Sequence, residues 1–273
     1  MTGNPSHRRY LGPEAIERLR AGLSGRDFAI LGQVADLRLM TARQIGAIHF
    51  PLTDHQGELA AARAGQRVLS RLVRDGLLVR LERRIGGVRA GSAGYVYGLG
   101  QTGQRVLGVD GPRKRLYEPT GRFVDHTLAV TELIVSVTEA ARQGVFEILV
   151  LQAEPHCHRH FSGLGGRTVL RPDLFLALGV GELELRWFIE VDRGTESLPV
   201  VLSKCRAYAD YYRSGREQTA HEVFPRVLWV VLIKARADRV RAAIARDRRL
   251  EERLFAVTTD GRALPVLIGR RAE

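Results

Sequence analysis

The sequence is poor in the features that mark secreted, disulfide-bonded and membrane-spanning chains. Its two cysteines, Cys157 and Cys205, form no CxxC pair and imply no disulfide framework, so we expect free thiols. The apolar run "VLWVVLI" stops at Lys234, far short of the about 20 apolar residues that a membrane-spanning helix needs. The N-terminal stretch "MTGNPSHRRYLGPEAIERLR" has no apolar core of a signal peptide. These absences predict a cytoplasmic protein.

Lysine is also scarce, although the chain as a whole is strongly basic. Only three of the 42 basic residues are lysines, and the formal net charge is +12. Residues 1–118 hold 19 Lys and Arg against 10 Asp and Glu, whereas residues 119–273 hold 23 against 20. Abundant arginine favours a polyanion partner, because guanidinium groups bind phosphates and guanines through paired hydrogen bonds. GC-rich coding would raise the arginine content as well.

The first part of the chain has the pattern of three helices followed by a β-hairpin. Ser24 and Thr41 belong to the residue types that cap helices, and each precedes a segment with helical periodicity. A third helix is predicted at 63–76, followed by the strand "LLVRLERR", a glycine-rich turn and the strand "YVYGLG". This order predicts a winged helix-turn-helix DNA-binding domain at 1–109 and a linker at 110–121.

The third predicted helix carries a stripe of arginines. They are spaced by four, four and three residues, which puts them within about 80° of one another around a helix; they are Arg63, Arg67, Arg71 and Arg74. The predicted wing is also basic, with Arg80, Arg83, Arg84 and Arg89. The stripe and the wing therefore predict contact with duplex DNA. A solvated helix face that packs or dimerises would carry the same stripe, and the residues leave a homodimer open.

The second part of the chain, 122–273, alternates helices and strands in the order α-β-β-β-α-β, with additions. The strands are predicted in "VFEILVLQ", "TVLRPDLFLALG", "LELRWFIEVD" and "RVLWVVLI", with short terminal strands in "FAVTT" and "PVLIG". The wholly apolar "RVLWVVLI" is expected inside the sheet. The segment "AEPHCHRHFSGLGGR" is predicted to be irregular. The fold class is therefore α/β, or α+β for the whole chain, with a mixed central sheet.

Two carboxylates stand on one side of an otherwise apolar strand, in "FIEVDRGTES". Glu190 and Asp192 are two residues apart, so they point the same way about 6–7 Å apart. Asp173 opens the apolar run of the preceding strand and can reach the same end of the sheet, because adjacent strands lie about 5 Å apart. Clustered carboxylates repel one another unless a cation compensates, and Mg²⁺ and Mn²⁺ take oxygen ligands. The pattern predicts a metal site at Asp173 and Glu190 next to a scissile phosphate.

These residues resemble two known families. Asp173 followed by Glu190-x-Asp192, inside the order α-β-β-β-α-β, resembles the PD-(D/E)xK nuclease core over residues 122–233. The winged helix together with "PDLFLAL", "FIEVDRGTES" and "KCRAYADYY" resembles the replication-relaxation family over most of the chain. The second resemblance implies a role in plasmid replication and relaxation, with DNA of a plasmid or mobile element as the partner.

The nuclease resemblance implies roles for individual residues. Asp173 and Glu190 match the two metal ligands. Asp192 stands where the pattern has a lysine that orients the attacking water, and Lys204 on the next helix would replace that lysine. Glu132 on the first helix stands where related nucleases supply an extra acidic ligand; either it or Asp192 would add a ligand or act as a base. The resemblance thus implies a metal-dependent DNA endonuclease or nickase.

The same acids also have a structural interpretation. Asp192 would accept hydrogen bonds from the backbone of the following turn, and Arg193 would neutralise the acidic pair. Under this interpretation the protein is a DNA-binding replication or transcription factor without catalysis.

The segment "HCHRH" at 156–160 has alternating histidines. A zinc site needs four ligands and no second cluster is visible in the sequence, so we expect these histidines to contact phosphate in a loop near the proposed site rather than zinc.

Overall fold

The computed structural model describes residues 11–81, 95–109, 120–163 and 166–270, and the chain divides into two compact units, 1–124 and 125–273. In the described residues the protein is mixed α+β, as the sequence predicts. The first unit contains a three-stranded sheet, and the second contains a mixed five-stranded sheet and a separate hairpin. The predicted linker lies almost entirely outside the described residues.

The first unit consists of helices around a small antiparallel sheet. Its described helices are α1 (Pro13–Ala21), α2 (Gly25–Leu37), α3 (Ala42–His49), α4 (Glu58–Arg74) and α5 (Gln101–Leu107). Its strands are β1 (Leu39–Thr41), β2 (Leu78–Leu81) and β3 (Val96–Leu99). Both β1 and β2 pair antiparallel with β3, which lies between them. Both α1 and β1 are additions to the predicted elements.

Reciprocal side-chain caps explain where α2 and α3 begin. The Ser24 hydroxyl accepts a hydrogen bond from the Asp27 amide (3.2 Å), and the Asp27 carboxylate accepts one from the Ser24 amide (2.8 Å). Thr41 and Gln44 make the same pair of bonds at the start of α3. Both predicted caps are therefore confirmed. Helix α4 starts at Glu58, earlier than predicted, because the "ELAAA" stretch joins the helix.

The second unit alternates helices and strands. Its helices are α6 (Gly121–Arg142, which begins just before the unit boundary), α7 (Leu198–Arg213), α8 (Arg216–His221), α9 (Lys234–Arg246) and α10 (Ala263–Leu267). Its strands are β4 (Glu147–Ala153), β5 (Arg159–Gly163), β6 (Gly166–Leu170), β7 (Leu174–Val180), β8 (Leu183–Asp192), β9 (Arg226–Val231) and β10 (Phe255–Thr259).

The main sheet of the second unit has the order β10-β9-β8-β7-β4. Strands β4, β7 and β8 are antiparallel neighbours, whereas β8, β9 and β10 run parallel. One face packs against α7 and α9 and includes Phe188 and Trp229. The alternate residues Ile189 and Leu228 are equally buried, so the second face is covered as well. The apolar β9 has a neighbour on each side, which confirms its predicted position inside the sheet.

Three predicted elements differ from the structure. The segment predicted to be irregular contributes β5, which pairs with β6 in a hairpin. The single predicted strand "TVLRPDLFLALG" is divided into β6 and β7 at Pro172, which has no N–H to donate to a strand ladder. The predicted terminal strand "PVLIG" falls mainly in α10, and the Leu267 carbonyl accepts a hydrogen bond from the Trp187 indole (3.0 Å). Short apolar runs do not distinguish helix from strand.

Candidate functional site

Asp173 and Glu190 lie at the same end of two neighbouring strands. Leu174, the first residue of β7, pairs with Ile189 in β8, and the Asp173 amide donates a hydrogen bond to the Ile189 carbonyl (3.0 Å). The Asp173 carboxylate accepts a hydrogen bond from the Val191 amide through Oδ2 (2.8 Å). The structure therefore brings together the two acids that the strand pattern predicts to be neighbours.

Glu190 is almost fully buried, at 2% exposure, and both of its carboxylate oxygens are hydrogen-bonded. Oε1 accepts a hydrogen bond from the Tyr208 hydroxyl (2.6 Å), and Oε2 accepts one from the Lys204 ammonium (3.0 Å). Burial and the charge of Asp173 raise the pKa of Glu190, against the opposite effect of Lys204 and Tyr208. A metal ligand must be ionised, so cation binding by Glu190 would strengthen as the pH rises.

Lys204 lies between two carboxylates. On α7, Lys204 and Tyr208 are four residues apart and share one side of the helix, so both reach Glu190. The Lys204 Nζ is 3.0 Å from the Glu190 Oε2 and 2.7 Å from the Glu196 Oε1. Burial by itself lowers the pKa of Lys204, but the two carboxylates outweigh it and raise the pKa, which keeps the side chain charged. The sequence pattern indicates Lys204 but gives no sign of Glu196, which lies in the turn after β8.

His126 on α6 adds an imidazole to this group. Its Nε2 is 3.0 Å from the Asp173 Oδ1, and this hydrogen bond raises the pKa of His126 against the effect of burial. The His126 side chain is 38% exposed, so it can exchange protons with solvent. Its partner lies 47 residues further along the chain, which is why local sequence patterns assign His126 no role. We call the assembled residues the Glu190 cluster: His126, Asp173, Glu190, Glu196, Lys204 and Tyr208.

Asp173 and Glu190 are the two strand-borne carboxylates of the Glu190 cluster that could hold a hard divalent cation. Mg²⁺ is commonly held by one or two carboxylates, and waters and substrate phosphates complete its coordination. Asp173 and Glu190 are oxygen donors of this kind. In the part of the chain that the structure describes, no three His, Cys, Asp or Glu side chains are grouped to hold a metal ion. Glu132, half-buried on α6, thus does not complete a three-residue ligand set with them.

Asp192 belongs to a buried ion pair outside the Glu190 cluster. Its Oδ2 accepts a hydrogen bond from the Arg236 Nε (2.8 Å), and its Oδ1 accepts one from the Gly194 amide (2.7 Å). Gly194 has a φ of 80°, a left-handed conformation that favours glycine and lets the turn close on Asp192. The predicted bond to the turn is therefore present. The predicted neutralising residue is wrong, because Arg193 pairs with Asp260 (2.8 Å).

The "HCHRH" segment spreads its side chains over different partners. His158 lies 3.1 Å from a Glu154 carboxylate oxygen. Cys157 is buried, and burial raises the pKa of its thiol to about 12, which disfavours the thiolate that metals bind. Arg159 donates a hydrogen bond to the buried Glu217 (3.0 Å). In this segment it is therefore the arginine, and not a histidine, that pairs with a buried acid.

The outer side of α4 is a surface of arginines and short polar residues. Arg63, Arg67 and Arg74 are exposed, and Gln66 and Ser70 lie between them on the same surface. The inner side is buried against the rest of the first unit, and it consists of Ala61, Gly65, Leu69 and Leu72. Within the described ranges, neither Arg63 nor Arg67 pairs with an acid. Helix α4 therefore has the two-sided character that its periodicity predicts.

Arg71 differs from the other arginines of the predicted stripe. It is half-buried and forms an ion pair with Asp27, so it braces α4 against the start of α2. Arg80 on β2 contacts an aromatic ring. Its guanidinium lies 4.0 Å from the ring centre of Tyr95, an exposed residue just before β3. The other three predicted wing residues, Arg83, Arg84 and Arg89, lie outside the described residues.

The protein therefore belongs to the mixed α+β class. Its first unit presents the arginine side of α4, and its second unit holds the Glu190 cluster at one end of a mixed sheet. The family model for replication-relaxation matches residues 31–227, and the chain therefore belongs to the replication-relaxation family. This match includes α4 and the Glu190 cluster but ends before Arg236. No curated protein and no solved structure matches the chain. No helix in the described ranges combines the length and apolar character needed to cross a membrane.

Proposed function

We propose that the protein binds duplex DNA through the outer side of α4, in the replication or relaxation of a plasmid or another mobile element. The observation that carries this proposal is the exposed surface of Arg63, Gln66, Arg67, Ser70 and Arg74. Guanidinium groups and short polar side chains on one helix are the groups that form hydrogen bonds with DNA phosphates and base edges. Family membership supports the replication or relaxation context.

The order of elements supports a winged helix-turn-helix as the DNA-binding domain. Helix α2, strand β1 and helices α3 and α4 precede the β2–β3 pair, and the three strands form one antiparallel sheet. In a helix-turn-helix the second helix of the motif enters the major groove, and α4 occupies that position after α3. The β2–β3 pair would belong to the wing.

Replacing Arg63 and Arg67 together by alanine is expected to weaken binding to a labelled duplex by at least about tenfold at about 0.15 M salt. The slope of the logarithm of the binding constant against the logarithm of the salt concentration should also decrease in magnitude by about two. Each lost phosphate contact means that about one counterion fewer is released on binding. Fluorescence anisotropy over a range of salt concentrations measures both quantities.

A matched control removes the same charge from another helix of the same unit. Arg18 and Arg20 are exposed on α1, and their double alanine variant should bind almost as tightly as the native protein. Equal losses in the two double variants would show that net charge alone drives binding, and the role of α4 would then be rejected.

We propose as a second activity that the Glu190 cluster nicks or cleaves DNA with Mg²⁺ or Mn²⁺. The specific observation is the convergence of Asp173, Glu190 and Lys204 at the end of β8. The order α6, β4, β7, β8, α7 and β9 supports this proposal, because it is the α-β-β-β-α-β order of the PD-(D/E)xK core that the sequence resembles. The alternative is a DNA-binding replication or transcription factor that keeps this scaffold without chemistry.

Five residues of the cluster have distinct roles in this proposal. Asp173 and Glu190 would hold the metal, which when bound activates water and stabilises negative charge on phosphate. Tyr208 orients the Glu190 carboxylate through its hydroxyl. The Lys204 ammonium would stabilise negative charge that develops on the phosphate oxygens. His126, bonded to Asp173 and partly exposed, could exchange a proton with solvent or the leaving group.

Conversion of supercoiled plasmid to nicked or linear DNA, followed with Mg²⁺ and with Mn²⁺, tests this activity. Asp173→Ala should abolish conversion, and Lys204→Met should slow it by about 100-fold, the loss typical of removing one charge-stabilising group. Asp238→Asn changes an exposed acid on α9 and should convert plasmid like the native protein. If the native protein leaves the plasmid intact with both metals, the enzymatic proposal is wrong.

A further inference from the structure

We infer that Glu196 is a positioning residue for Lys204, and that the buried Asp192–Arg236 ion pair holds Glu196 in place. This inference rests on the proposed nuclease activity for its catalytic meaning. It gives Asp192 a role different from that of the metal ligand or base suggested by the sequence pattern. It also extends the functional site to α9, beyond the residues matched by the family model.

The anchor of the arrangement is Arg236 in the first turn of α9. Its Nε donates a hydrogen bond to the Asp192 Oδ2 (2.8 Å), and its Nη2 donates one to the Glu196 backbone carbonyl (2.7 Å). The Asp192 side chain is fully buried, and the Arg236 side chain is 9% exposed. One guanidinium thus ties the end of β8 to the connection that leads into α7. Because the bond to Glu196 is to its backbone, the Glu196 carboxylate remains available for another partner.

That partner is Lys204. The Glu196 Oε1 lies 2.7 Å from the Lys204 Nζ, and the Glu190 Oε2 lies 3.0 Å from the same Nζ. A lysine side chain has four flexible carbons and loses rotamer entropy when it is fixed. Two carboxylates on separate segments define where the ammonium sits better than one does. Glu196 therefore holds Lys204 at the Glu190 carboxylate, where a phosphate would be stabilised.

An incidental surface ion pair is the competing explanation, because Glu196 and Lys204 are partly exposed, at 28% and 37%. Two observations favour positioning. The Glu196 backbone is fixed by a buried guanidinium, so the carboxylate is not on a free loop. The Glu196 Oε2 is also buried, and in the described part of the chain it has no hydrogen-bond partner. Burying a carboxylate oxygen without a donor has a free-energy cost, which an incidental pair would avoid by turning to solvent.

Lysine acylation followed by mass spectrometry tests the inference without DNA or metal. The chain has only Lys114, Lys204 and Lys234, so each amine can be followed separately. Glu196→Gln should increase the acylation rate of Lys204 by roughly tenfold, as expected for the loss of one charge-assisted hydrogen bond. The rate at Lys234 should not change, and Glu196→Asp should restore part of the protection of Lys204.

Asp238→Asn is the matched control, because Asp238 pairs with Lys234 at 2.9 Å on the exposed side of α9. It should affect Lys234 and leave Lys204 unchanged. If Glu196→Gln leaves Lys204 as slow as in the native protein, the inference is wrong.

Plasmid conversion separates this inference from the proposed activity. If the native protein is active, Glu196→Gln should slow conversion by about tenfold and Glu196→Asp should recover most of the rate. Changed acylation combined with an inactive native protein would support the positioning of Lys204 and reject only the nuclease proposal. Normal conversion by Glu196→Gln would reject a catalytic meaning for the contact.

Discussion

Asp192→Ala is expected to destabilise the second unit by about 3–5 kcal/mol, the usual cost of removing one partner from a buried ion pair. The variant leaves the Arg236 guanidinium, only 9% exposed, without its carboxylate, and it removes the acceptor for the Gly194 amide. Urea unfolding followed by tryptophan fluorescence measures the loss. Both tryptophans of the chain, Trp187 and Trp229, are buried in strands of the second unit and therefore report on its sheet.

Two further variants separate the ion pair from a general effect of mutation. Asp238→Ala removes an exposed acid of α9 and should leave the urea midpoint unchanged. The double variant Asp192→Leu/Arg236→Met should recover most of the stability lost by Asp192→Ala, because apolar residues of similar size often replace a buried ion pair at little cost. An Asp192→Ala midpoint equal to that of the native protein would contradict the role of the pair in the fold.

Asp27→Ala is expected to destabilise the first unit by about 3 kcal/mol, through two losses at one side chain. The carboxylate closes the capping box of α2 with Ser24, and it is the partner of Arg71 on α4. Hydrogen–deuterium exchange of peptides from α2 and α4 should accelerate. Asp36→Ala, an exposed acid on α2, is the matched control and should leave exchange unchanged. Equal exchange in Asp27→Ala and the native protein would contradict this prediction.

The same carboxylate makes the first unit sensitive to acid. Burial raises the pKa of Asp27, but hydrogen bonds from Arg71 and Ser24 outweigh burial and hold the pKa below its usual value. The folded state therefore prefers the charged form. The contribution of the Asp27 carboxylate to the free energy of unfolding is complete above the unfolded pKa of about 3.9. It is lost as the pH falls through the lower pKa of the folded state. The protection factors of α2 amides in the native protein, which are corrected for the intrinsic exchange rate at each pH, should decrease in this range, and Asp27→Ala should remove that part of the pH dependence.

Sequence patterns predict those features that depend on local spacing. Ser24 and Thr41 define helix starts because a cap needs only residues within one turn. The spacing of the arginines on α4 predicts its exposed side for the same reason. Arg71 is the exception, because it pairs with Asp27, which is 44 residues away in the chain. The alternation in β8 correctly puts Glu190 and Asp192 on one side of the sheet. The strand predicted for "PVLIG" is wrong, because so short an apolar run fits a helix and a strand equally well.

The amino-acid sequence by itself determined which side chains share a helix side or a strand side, because these relations follow from the fixed geometry of the backbone. Only the tertiary structure decided the partners of those side chains. Glu190 meets Lys204 and Tyr208 on α7, whereas Asp192, two residues further along the same strand, meets Arg236 on α9. A buried carboxylate takes the donor that packing brings to it, and that donor can come from any distance along the chain.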